Sequence, residues 1–510
     1  MSNTSTLDIG LVGAGAAAVC LIDALSRRNL PAGSLTIFEP SGQVWRGRPY
    51  QSDLEVVRVN AVPQDMSIRG GDDQHFAEWL TARGLMVGGP AVLPDPRSGA
   101  FFVPRALYGD YLEQSARAAL TRLAADGWTV RLIRDRVVGA EAGAEVVLRT
   151  GANKRYPVRT LILGTGAGSP ADLYGLSGAE GFVAEPYPVA RTLSTIDPSA
   201  TVAVIGSGLT AVDVALSLAH RGHRGPIRFH SRNGALPGVR QRPIHHQLRE
   251  FTPARFREAA ASGERFRLRD VLALLERELV LAGESLDRVV AEMRSVGTED
   301  PVARLRRNLD EVDEPSRALR IVQQAVPEAG PDVFPLLPEA EREAVLAEHH
   351  RALMSLCCPM PPLSGAALLA LLDSGRLELV PGLGDIRAAG RGFVLTSGDR
   401  TDRADVVINA VNARFGRING AAGPLIDSLT RAGLVEPHER AGIHVERATS
   451  RAVTAARPQP QVYALGDLAA GSLFFTFGVQ SLADRAVDIA DTLTNETLAP
   501  ATDRGVLLSA

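Results

Sequence analysis

The sequence predicts an α/β protein in which one strand–turn–helix–strand unit occurs twice, with a helical segment after the second copy. Three observations lead to this prediction. Apolar strands run into glycine-rich turns at residues 13–18 and again at residues 206–211. Residues 240–355 replace this pattern with Arg, Glu, Ala and Leu at helical spacing. A chain of 510 residues is also too long for one ordinary hydrophobic core, so two or three domains are expected.

The first unit follows from the order of its residues. Residues 7–12 are apolar and form a strand, and the turn follows with Gly13, Gly15 and, in the third position, Ala18. The first glycine permits a tight turn, the second lets a ligand approach the backbone, and the small third residue lets the helix pack against the strand. Residues 19–26 then form a helix, and residues 35–38 form a second strand that is followed by Glu39.

The second unit repeats this order after a helix at residues 105–125 and short alternating strands within residues 128–163. Residues 202–205 form its strand, and Gly206, Gly208 and Ala211 form its turn. A helix at residues 212–221 and a strand at residues 227–230 lead to Ser231 and Arg232. Such an internal duplication indicates two Rossmann-like domains.

The rest of the chain determines the predicted division into domains. Helical patterns occupy residues 271–281, 286–295 and 339–351, strands return at 377–380, 404–408 and 462–465, and a helix closes the chain at 477–493. We therefore predict that residues 1–195 and 401–510 together form the first domain. Residues 196–239 and 356–400 form the second domain, and residues 240–355 form a helical insertion within it.

The residue at the end of each second strand indicates which nucleotide is bound. Glu39 lies 21 residues after Ala18, and Arg232 lies 21 residues after Ala211. A carboxylate at this point accepts hydrogen bonds from ribose hydroxyls and repels a 2′-phosphate, which favours FAD or NAD in the first unit. Ser231 and Arg232 offer a hydroxyl and a guanidinium instead, which favours the 2′-phosphate of NADPH. Two Rossmann-like units that bind only one nucleotide are the plainer alternative.

The composition argues against several other classes of protein. The chain has 55 basic and 58 acidic side chains and a net charge of −3, so it offers no basic footprint for nucleic acid or for an anionic membrane. Three cysteines, two of them adjacent at Cys357 and Cys358, cannot build a disulfide framework, and we expect a cytoplasmic location. Lys154 is the only lysine, which leaves Schiff-base chemistry almost no candidate. The histidine pairs at 245–246 and 349–350 are chain neighbours that point apart on a helix, so no metal is expected.

Further motifs connect the two units to a family. Gly466 and Asp467 follow an apolar strand, and residues 164–166 and 409–412 look like the two crossings between the domains. With the segments 60–67 and 231–237, the chain resembles FAD- and NAD(P)H-dependent oxidoreductases of the class B flavin monooxygenase type. Within that group it is most similar to amino-acid N-hydroxylating enzymes. The resemblance covers most of the chain but not the helical insertion.

The resemblance implies which residues hold the two cofactors. Those implied for FAD are Gly13, Gly15, Ala18, Glu39, Gly42, Trp45, Arg46 and Asp467. Those implied for NADPH are Gly206, Gly208, Ala211, Ser231 and Arg232. Asn60, Gln64 and Met66 are the flavin-proximal candidates, and no residue is assigned as a nucleophile.

The resemblance also implies a reaction. NADPH would reduce FAD, molecular oxygen would add to give a flavin C4a-hydroperoxide, and an unprotonated amine would take the distal oxygen. Two family features are missing: the His and Trp-Pro of Baeyer–Villiger enzymes, and the flavin-proximal Lys usual in ornithine and lysine hydroxylases, for which Lys154 is badly placed. The chemistry is therefore better supported than the substrate.

The substrate is predicted from the cations that follow the NADPH loop, Arg240, Arg242 and His245. One arginine there could hold a substrate carboxylate in a bidentate pair, which suits a small amino acid, including an acidic one such as aspartate. A solvated arginine-rich surface is the plainer alternative. The competing activities are an NAD(P)H-dependent flavoprotein reductase or oxidase that passes electrons to a quinone, a protein or oxygen, and a flavoprotein with no activity. No nucleic-acid or membrane partner is expected, and a homo-oligomer is left open.

Overall fold

The computed structural model of the protein describes residues 7–86, 92–166, 168, 170–411, 420–455, 457–476 and 478–498. Within this part of the chain no helix is both long enough and apolar enough to cross a membrane. Two residues named in the sequence-based predictions, Asn412 and Phe477, lie outside the described ranges.

The strands of the described residues are short and belong to four sheets. In chain order they are β1 Asp8–Val12, β2 Ser34–Phe38, β3 Thr129–Ile133, β4 Val137–Glu141, β5 Val146–Thr150, β6 Arg155–Val158, β7 Thr160–Leu163, β8 Phe182–Val183, β9 Val202–Ile205, β10 Ile227–Ser231, β11 Leu377–Pro381, β12 Leu383–Ala389, β13 Gly392–Ser397, β14 Arg400–Ala404, β15 Val406–Asn409, β16 Arg451–Thr454 and β17 Arg457–Ala464.

The α-helices of the described residues flank these sheets or form the insertion. In chain order they are α1 Ala16–Ser26, α2 His75–Thr81, α3 Arg105–Ala125, α4 Val189–Thr192, α5 Leu209–His220, α6 Pro253–Ala261, α7 Leu268–Leu281, α8 Leu286–Ser295, α9 Pro301–Asp310, α10 Ala318–Val333, α11 Glu339–Ala344, α12 His350–Cys357, α13 Pro362–Asp373, α14 Gly423–Arg431, α15 Ala470–Leu473 and α16 Val479–Leu498. A π-helical turn, Val345–His349, joins α11 to α12.

The first sheet has the strand order β16-β17-β7-β1-β2-β3. Its strands β17, β7, β1, β2 and β3 run parallel, with Leu11 beside Ile37 on one side and beside Ile162 on the other. Helices α1, α3 and α16 cover one face with a shared apolar core. Because β1 lies between β2 and β7, the carboxyl ends of these three strands meet at one edge, where open α/β sheets bind ligands.

The second sheet has the order β11-β10-β9-β15-β8 and is parallel throughout its described pairs. It extends beyond the range predicted for the second domain, because β8 at Phe182–Val183 and β15 at Val406–Asn409 both belong to it. The physical reason is that β9 is a central strand and needs a partner on each side. The division of the chain into four segments remains a prediction. Strands β8 and β15, which it assigned to the first domain, belong to the second sheet.

Two small antiparallel sheets complete the strands. Strands β4, β5 and β6 form one, which packs on the first sheet with α14, and strands β12, β13 and β14 form the other, which packs on the second sheet. The alternating strands predicted within residues 128–163 thus divide between the first sheet and the β4–β6 sheet.

The helical insertion has its own hydrophobic core. Helices α6, α7, α8, α10 and α12 bury apolar side chains against one another. Phe474 and Phe475 of the returning chain enter the same core, and Phe334 stacks on Phe474 with ring centroids 5.2 Å apart. The insertion is therefore packed against the first unit's returning segment as well as beside the second sheet.

Candidate nucleotide-binding and active site

The first glycine turn is held tightly at the end of β1. Gly13 has a φ of 101°, and a Cβ there would come within 2.3 Å of the Gly164 carbonyl oxygen. Gly15 is the residue before α1, and an added Cβ would meet the Gly47 Cα at 3.5 Å. Ala18 is fully buried in the core. Gly13 therefore has no room for a side chain, Ala18 has little, and the Gly15 position is in ordinary contact with the Gly47 backbone.

Glu39 lies immediately after β2 and faces the turn. Its carboxylate accepts hydrogen bonds from the backbone N–H of Ala14 at 3.1 Å and from that of Ser41 at 2.9 Å. The carboxylate is therefore oriented at the edge of the sheet, beside the N-terminus of α1, where a nucleotide ribose would lie.

The segment after Glu39 folds back over the turn. Trp45 adopts a φ of 75°, and its N–H donates to the Ala14 carbonyl at 2.6 Å. Arg46 pairs with Asp110 and with Glu113 of α3, the latter at 2.9 Å, so its guanidinium is engaged by the protein itself. Gly42 is exposed, and a Cβ there would meet no atom within 4 Å. Of these three predicted residues, Trp45 touches the turn, whereas Arg46 points its charge toward α3.

The connector from β7 and the return from β17 end at the same edge. The Gly164 N–H donates to the Val12 carbonyl at 2.8 Å, and the Leu465 N–H donates to the Leu163 carbonyl at 2.9 Å. Asp467 follows in a short helical turn that begins at Gly466. The sheet order thus brings Gly13, Glu39 and Asp467 to one edge from distant parts of the chain. The buried Thr165 hydroxyl beside Gly13 has no hydrogen-bond partner among the described residues.

The second glycine turn has the same backbone form but different surroundings. Gly206 has a φ of 104°, its N–H donates to the His230 carbonyl at 2.8 Å, and Gly208 precedes α5. A Cβ on Gly208 would meet no atom within 4 Å. Ala211 is fully buried. The space beside Gly208 is therefore open, whereas the Gly47 backbone occupies the corresponding space beside Gly15 in the first unit.

Ser231 and Arg232 end β10 beside this turn. The Ser231 hydroxyl accepts from the Gly234 N–H at 2.9 Å and lies 3.3 Å from the Ser207 hydroxyl. Arg232 is exposed, and no ion-pair partner for it is found among the described residues. An open cleft of about 840 Å³ contains Arg232 and Gly208 on one wall.

Part of the lining of this cleft comes from regions of the chain that the motifs did not indicate. Leu346, His350 and Arg351 from the insertion line it, with Glu439 and Arg440 from the returning chain. Burial lowers the pKa of His350, which keeps this ring neutral near pH 7. Motif spacing could not have found these residues, because more than a hundred residues separate them from the glycine turn.

A buried ion pair joins the two units. Arg105 at the start of α3 contacts Asp213 of α5 at 2.8 Å, and it donates to the Tyr187 hydroxyl at 2.9 Å. The Tyr187 hydroxyl also donates to Asp213. The Arg105 and Asp213 side chains are 14% and 11% exposed. This trio connects the first unit, the connector and the second unit at one point.

The flavin-proximal candidates lie together, and one predicted substrate residue reaches them. The Arg240 guanidinium donates to the Asn60 carbonyl at 2.8 Å and lies 3.7 Å from the Asp65 carboxylate. Met66 is buried, and Gln64 is exposed beside Asp65. Burial raises the pKa of Asp65 even though Arg240 opposes the shift. Arg240 therefore lies against the segment that carries Asn60, Gln64 and Met66.

The other two predicted substrate residues do not join this site. Arg242 forms a bidentate pair with Asp313, with contacts of 2.5 and 3.0 Å, and also donates to the Arg97 carbonyl. His245 is exposed. The Arg242 charge is therefore already balanced by a carboxylate of the insertion.

A cluster of two histidines and a glutamate lies in the returning segment. His438, Glu439 and His444 place possible metal-ligating atoms within 4.8 Å of one another. Arg440, however, donates its backbone N–H to His438 Nδ1 at 3.1 Å, and its guanidinium lies 3.2 Å from Nε2. A metal-bound histidine normally donates its second N–H to an acceptor, so a cation in that place does not fit a metal site.

The cysteines also lack a redox arrangement. Cys20 lies in α1 and is buried apart from Cys357 and Cys358, and all three are free thiols. Burial raises the pKa of each thiol, to about 12 for Cys358, so the reactive thiolate is disfavoured near pH 7.

The comparisons with known proteins agree with this geometry. Residues 10–168 match a family model described as FAD-NAD(P)-binding. That match covers the first glycine turn, Glu39, the Asn60 segment and the connector. No curated protein sequence matches the chain significantly.

Solved structures match almost the whole chain. The ornithine N-hydroxylase of Kutzneria sp. 744 shares 15% identity at a TM-score of 0.58, over 96% of this chain and 99% of that one. L-lysine 6-monooxygenase from Pseudomonas syringae shares 16% identity at 0.57, over 97% and 100%. The cadaverine monooxygenase of Erwinia amylovora shares 15% identity at 0.59, over 97% and 96%.

The chain therefore has the α/β fold with two dinucleotide-binding domains that is found in flavoprotein monooxygenases. Residues 10–168 are its FAD-NAD(P)-binding part. At this identity the likeness establishes the fold, and it includes the helical insertion, which the sequence motifs had left out.

The residues present fit two dinucleotides. In the first unit, the close approach at Gly13, the oriented Glu39 carboxylate and the unpartnered Thr165 hydroxyl suit a tightly enclosed nucleotide. In the second unit, the open Gly208 turn and the exposed Arg232 suit a nucleotide that enters from solvent.

Proposed function

We propose that this protein is a FAD-dependent, NADPH-consuming monooxygenase that hydroxylates the amine nitrogen of a small amino acid. The observation that carries the proposal is the convergence at one edge of the first sheet. Gly13, Glu39 and Asp467 meet there at the carboxyl ends of parallel strands, and the neighbouring second sheet presents a similar edge at Gly206 and Arg232. Two nucleotide edges that are joined by the Arg105–Asp213 pair suit transfer of hydride from one cofactor to the other.

The side chains of the first unit would hold FAD. The α1 N-terminus would face the pyrophosphate, Glu39 would accept from the ribose hydroxyls, and Asp467 would approach the ribityl chain. When bound, FAD accepts hydride from NADPH and, once reduced, activates molecular oxygen. The chain supplies position and exclusion of water, and no side chain needs to act as a nucleophile.

Arg240 is the residue we assign to substrate recognition. Its guanidinium is 12% exposed, lies beside Asn60 and has only a 3.7 Å contact with Asp65, so it can still form a closer pair with a carboxylate. A bidentate pair with a substrate carboxylate would hold the amine in a fixed direction. Because Arg242 is paired with Asp313, Arg240 is the one of the two predicted substrate arginines, both within the described residues, that stays available for this role. A substrate with a single carboxylate fits it directly, and an aspartate-like substrate would need a second donor.

The experiment is a panel of amino acids and polyamines, scored by hydroxylamine or nitro product and by oxygen and NADPH consumed. We expect product only from amines that carry a carboxylate. We also expect Arg240→Gln to raise KM for the amino acid at least about tenfold, the loss of one charge-assisted contact. Arg242→Gln is the matched control and should leave KM unchanged.

Each other outcome has a definite meaning. Product only from amines without a carboxylate would contradict the role of Arg240 and leave the monooxygenase proposal standing. Hydrogen peroxide equal to NADPH with every amine would favour an oxidase, and electron transfer to a quinone without oxygen uptake would favour a reductase. Absence of any NADPH oxidation would favour a flavoprotein without activity.

A further inference from the structure

The insertion contributes a wall to the cleft that contains Arg232. Arg351 lies in α12, which follows the π-helical turn Val345–His349, and its side chain lines this cleft together with Gly208 of the second glycine turn. Asn233 links the two arginines. In the amide orientation that satisfies both of its ends, Asn233 donates to the Arg232 carbonyl at 2.9 Å and accepts from Arg351 Nη1 at 2.6 Å.

We propose that Arg351 is a second phosphate-binding residue, which acts with Arg232 on the 2′-phosphate of NADPH, so that the insertion takes part in nucleotide selection. This inference rests on the proposed use of NADPH. The inference goes beyond that proposal, because it assigns part of the selection for NADPH to a residue outside both glycine motifs.

The charges around the two arginines support this role. Arginines such as Arg400 and Arg447 pair with carboxylates, yet neither Arg232 nor Arg351 has an ion-pair partner within the described ranges. The Arg351 guanidinium contacts the side chain of Asn233, the residue next to Arg232, and both arginines line one cleft. A doubly charged phosphate that binds both guanidinium groups would balance their charges. Arginine is suited to this role because its planar donors match phosphate oxygens.

The acidic groups of the cleft do not occupy this position. Glu343 lies eight residues before Arg351 in the same helical run, which corresponds to about 12 Å along the axis, more than one Debye length at physiological salt. Glu439 lies 3.5 Å from the His438 ring and 3.6 Å from the His444 ring. Arg440 is paired with Glu339. The Arg232–Arg351 end of the cleft is thus its cationic end.

The π-helical turn explains how Arg351 reaches this end. A π turn adds one residue to a helix and so rotates everything after it by about 100° relative to a regular α-helix. Without it, His350 and Arg351 would both be rotated relative to Leu346, which also lines the cleft. Such turns are rare and occur frequently at functional sites.

Binding of two small probes to the purified flavoprotein tests the proposal without any turnover. Adenosine 2′,5′-bisphosphate carries the phosphate in question, and adenosine 5′-monophosphate lacks it. We expect wild-type protein to bind the bisphosphate at least about tenfold more tightly by calorimetry. Arg351→Ala and Arg232→Ala should each remove most of this difference, and Arg351→Lys should retain part of it.

The matched control is Arg269→Ala, because Arg269 is an exposed arginine of the insertion whose side chain is 85% accessible. It should leave both affinities unchanged. An Arg351→Ala protein that keeps the full preference for the bisphosphate would overturn the role of Arg351 while the NADPH proposal stands. If wild-type protein shows no preference at all, the NADPH proposal fails first. Should Arg351→Ala not fold, Asn233→Ala, which releases the Arg351 guanidinium, must weaken the bisphosphate alone.

Discussion

The two glycine turns share one backbone but have opposite surroundings. At the first, the Gly47 backbone covers Gly15, the Gly164 carbonyl fills the space beside Gly13, and Glu39 is tied to Ala14. At the second, the space beside Gly208 is open, Arg232 is exposed, and a cleft of about 840 Å³ separates the turn from the insertion. An enclosed site retains its ligand, whereas an open one exchanges it. The difference supports the proposed FAD in the first unit as a retained ligand and the proposed NADPH in the second as an exchanging one.

The largest effect should follow from filling the space at the first turn. Gly13→Val adds a β-branched side chain where the backbone has a φ of 101° and where a Cβ would lie 2.3 Å from the Gly164 oxygen. We expect protein without bound flavin, measured by the ratio of flavin to protein absorbance. Gly384→Ala is the control, because its Cβ would meet only the Thr396 oxygen at 3.8 Å. Full flavin content in Gly13→Val would contradict the enclosed-site description.

The next effect concerns the contact between the units. Asp213→Ala leaves Arg105 buried without its carboxylate, and loss of one partner of a buried pair costs about 3–5 kcal/mol of unfolding free energy. Urea unfolding measures this change. Glu141→Ala is the comparison, because both Glu141 and Arg155 are 56% exposed and such pairs contribute about 0–1 kcal/mol. Equal effects of the two substitutions would show that the units are not joined through Asp213.

A smaller effect is expected from reversing the charge beside the first turn. Glu39→Arg replaces the acceptor of the Ala14 and Ser41 N–H groups with a donor, so both the turn and the ribose contact are lost. We expect FAD to dissociate at least about tenfold more readily, measured by flavin released on dilution. Binding of adenosine 2′,5′-bisphosphate at the second unit should not change. A parallel loss at both units would mean that the two sites are not independent.

The smallest effect concerns a carboxyl group enclosed on α16 of the first unit. Burial raises the pKa of Asp484 to about 6, with Asp488 and Asp332 adding to the shift and Arg257 and Arg447 opposing it. The folded protein therefore holds a proton there that the unfolded chain has released, so this group's contribution to stability is lost as pH rises from about 4 to about 6. Asp484→Asn should remove about 1 kcal/mol of that decline.

Urea unfolding of both proteins at pH 5 and pH 8 checks this prediction. The wild-type protein should lose more stability between the two pH values than the Asn variant does. Asp484 is the better choice than Asp488, because Asp488 pairs with Arg447 at 3.0 Å and with Arg485 at 2.9 Å. An identical pH dependence in both proteins would show that Asp484 is solvated in the folded state.

The features that could be predicted from the sequence are those that depend on residues close together in the chain. The glycine turns, their helices and the strands that end at Glu39 and Ser231 could be predicted, because each depends on neighbours within about thirty residues. The contact of Asp467 with FAD stays a prediction, and the strand order β17-β7-β1 brings Asp467 to the same edge of the sheet as the first turn.

The tertiary structure alone decided which cations meet which site. Arg240 and Arg242 are two residues apart, yet one reaches Asn60 and the other pairs with Asp313. Arg351 joins the cleft of Arg232 because a π-helical turn sets its direction and the insertion core sets its distance. Long-range packing and charge pairing depend on groups that lie far apart in the chain. No local pattern specifies them, and for this reason the glycine turns could be predicted from the sequence and the pairing of the cations could not.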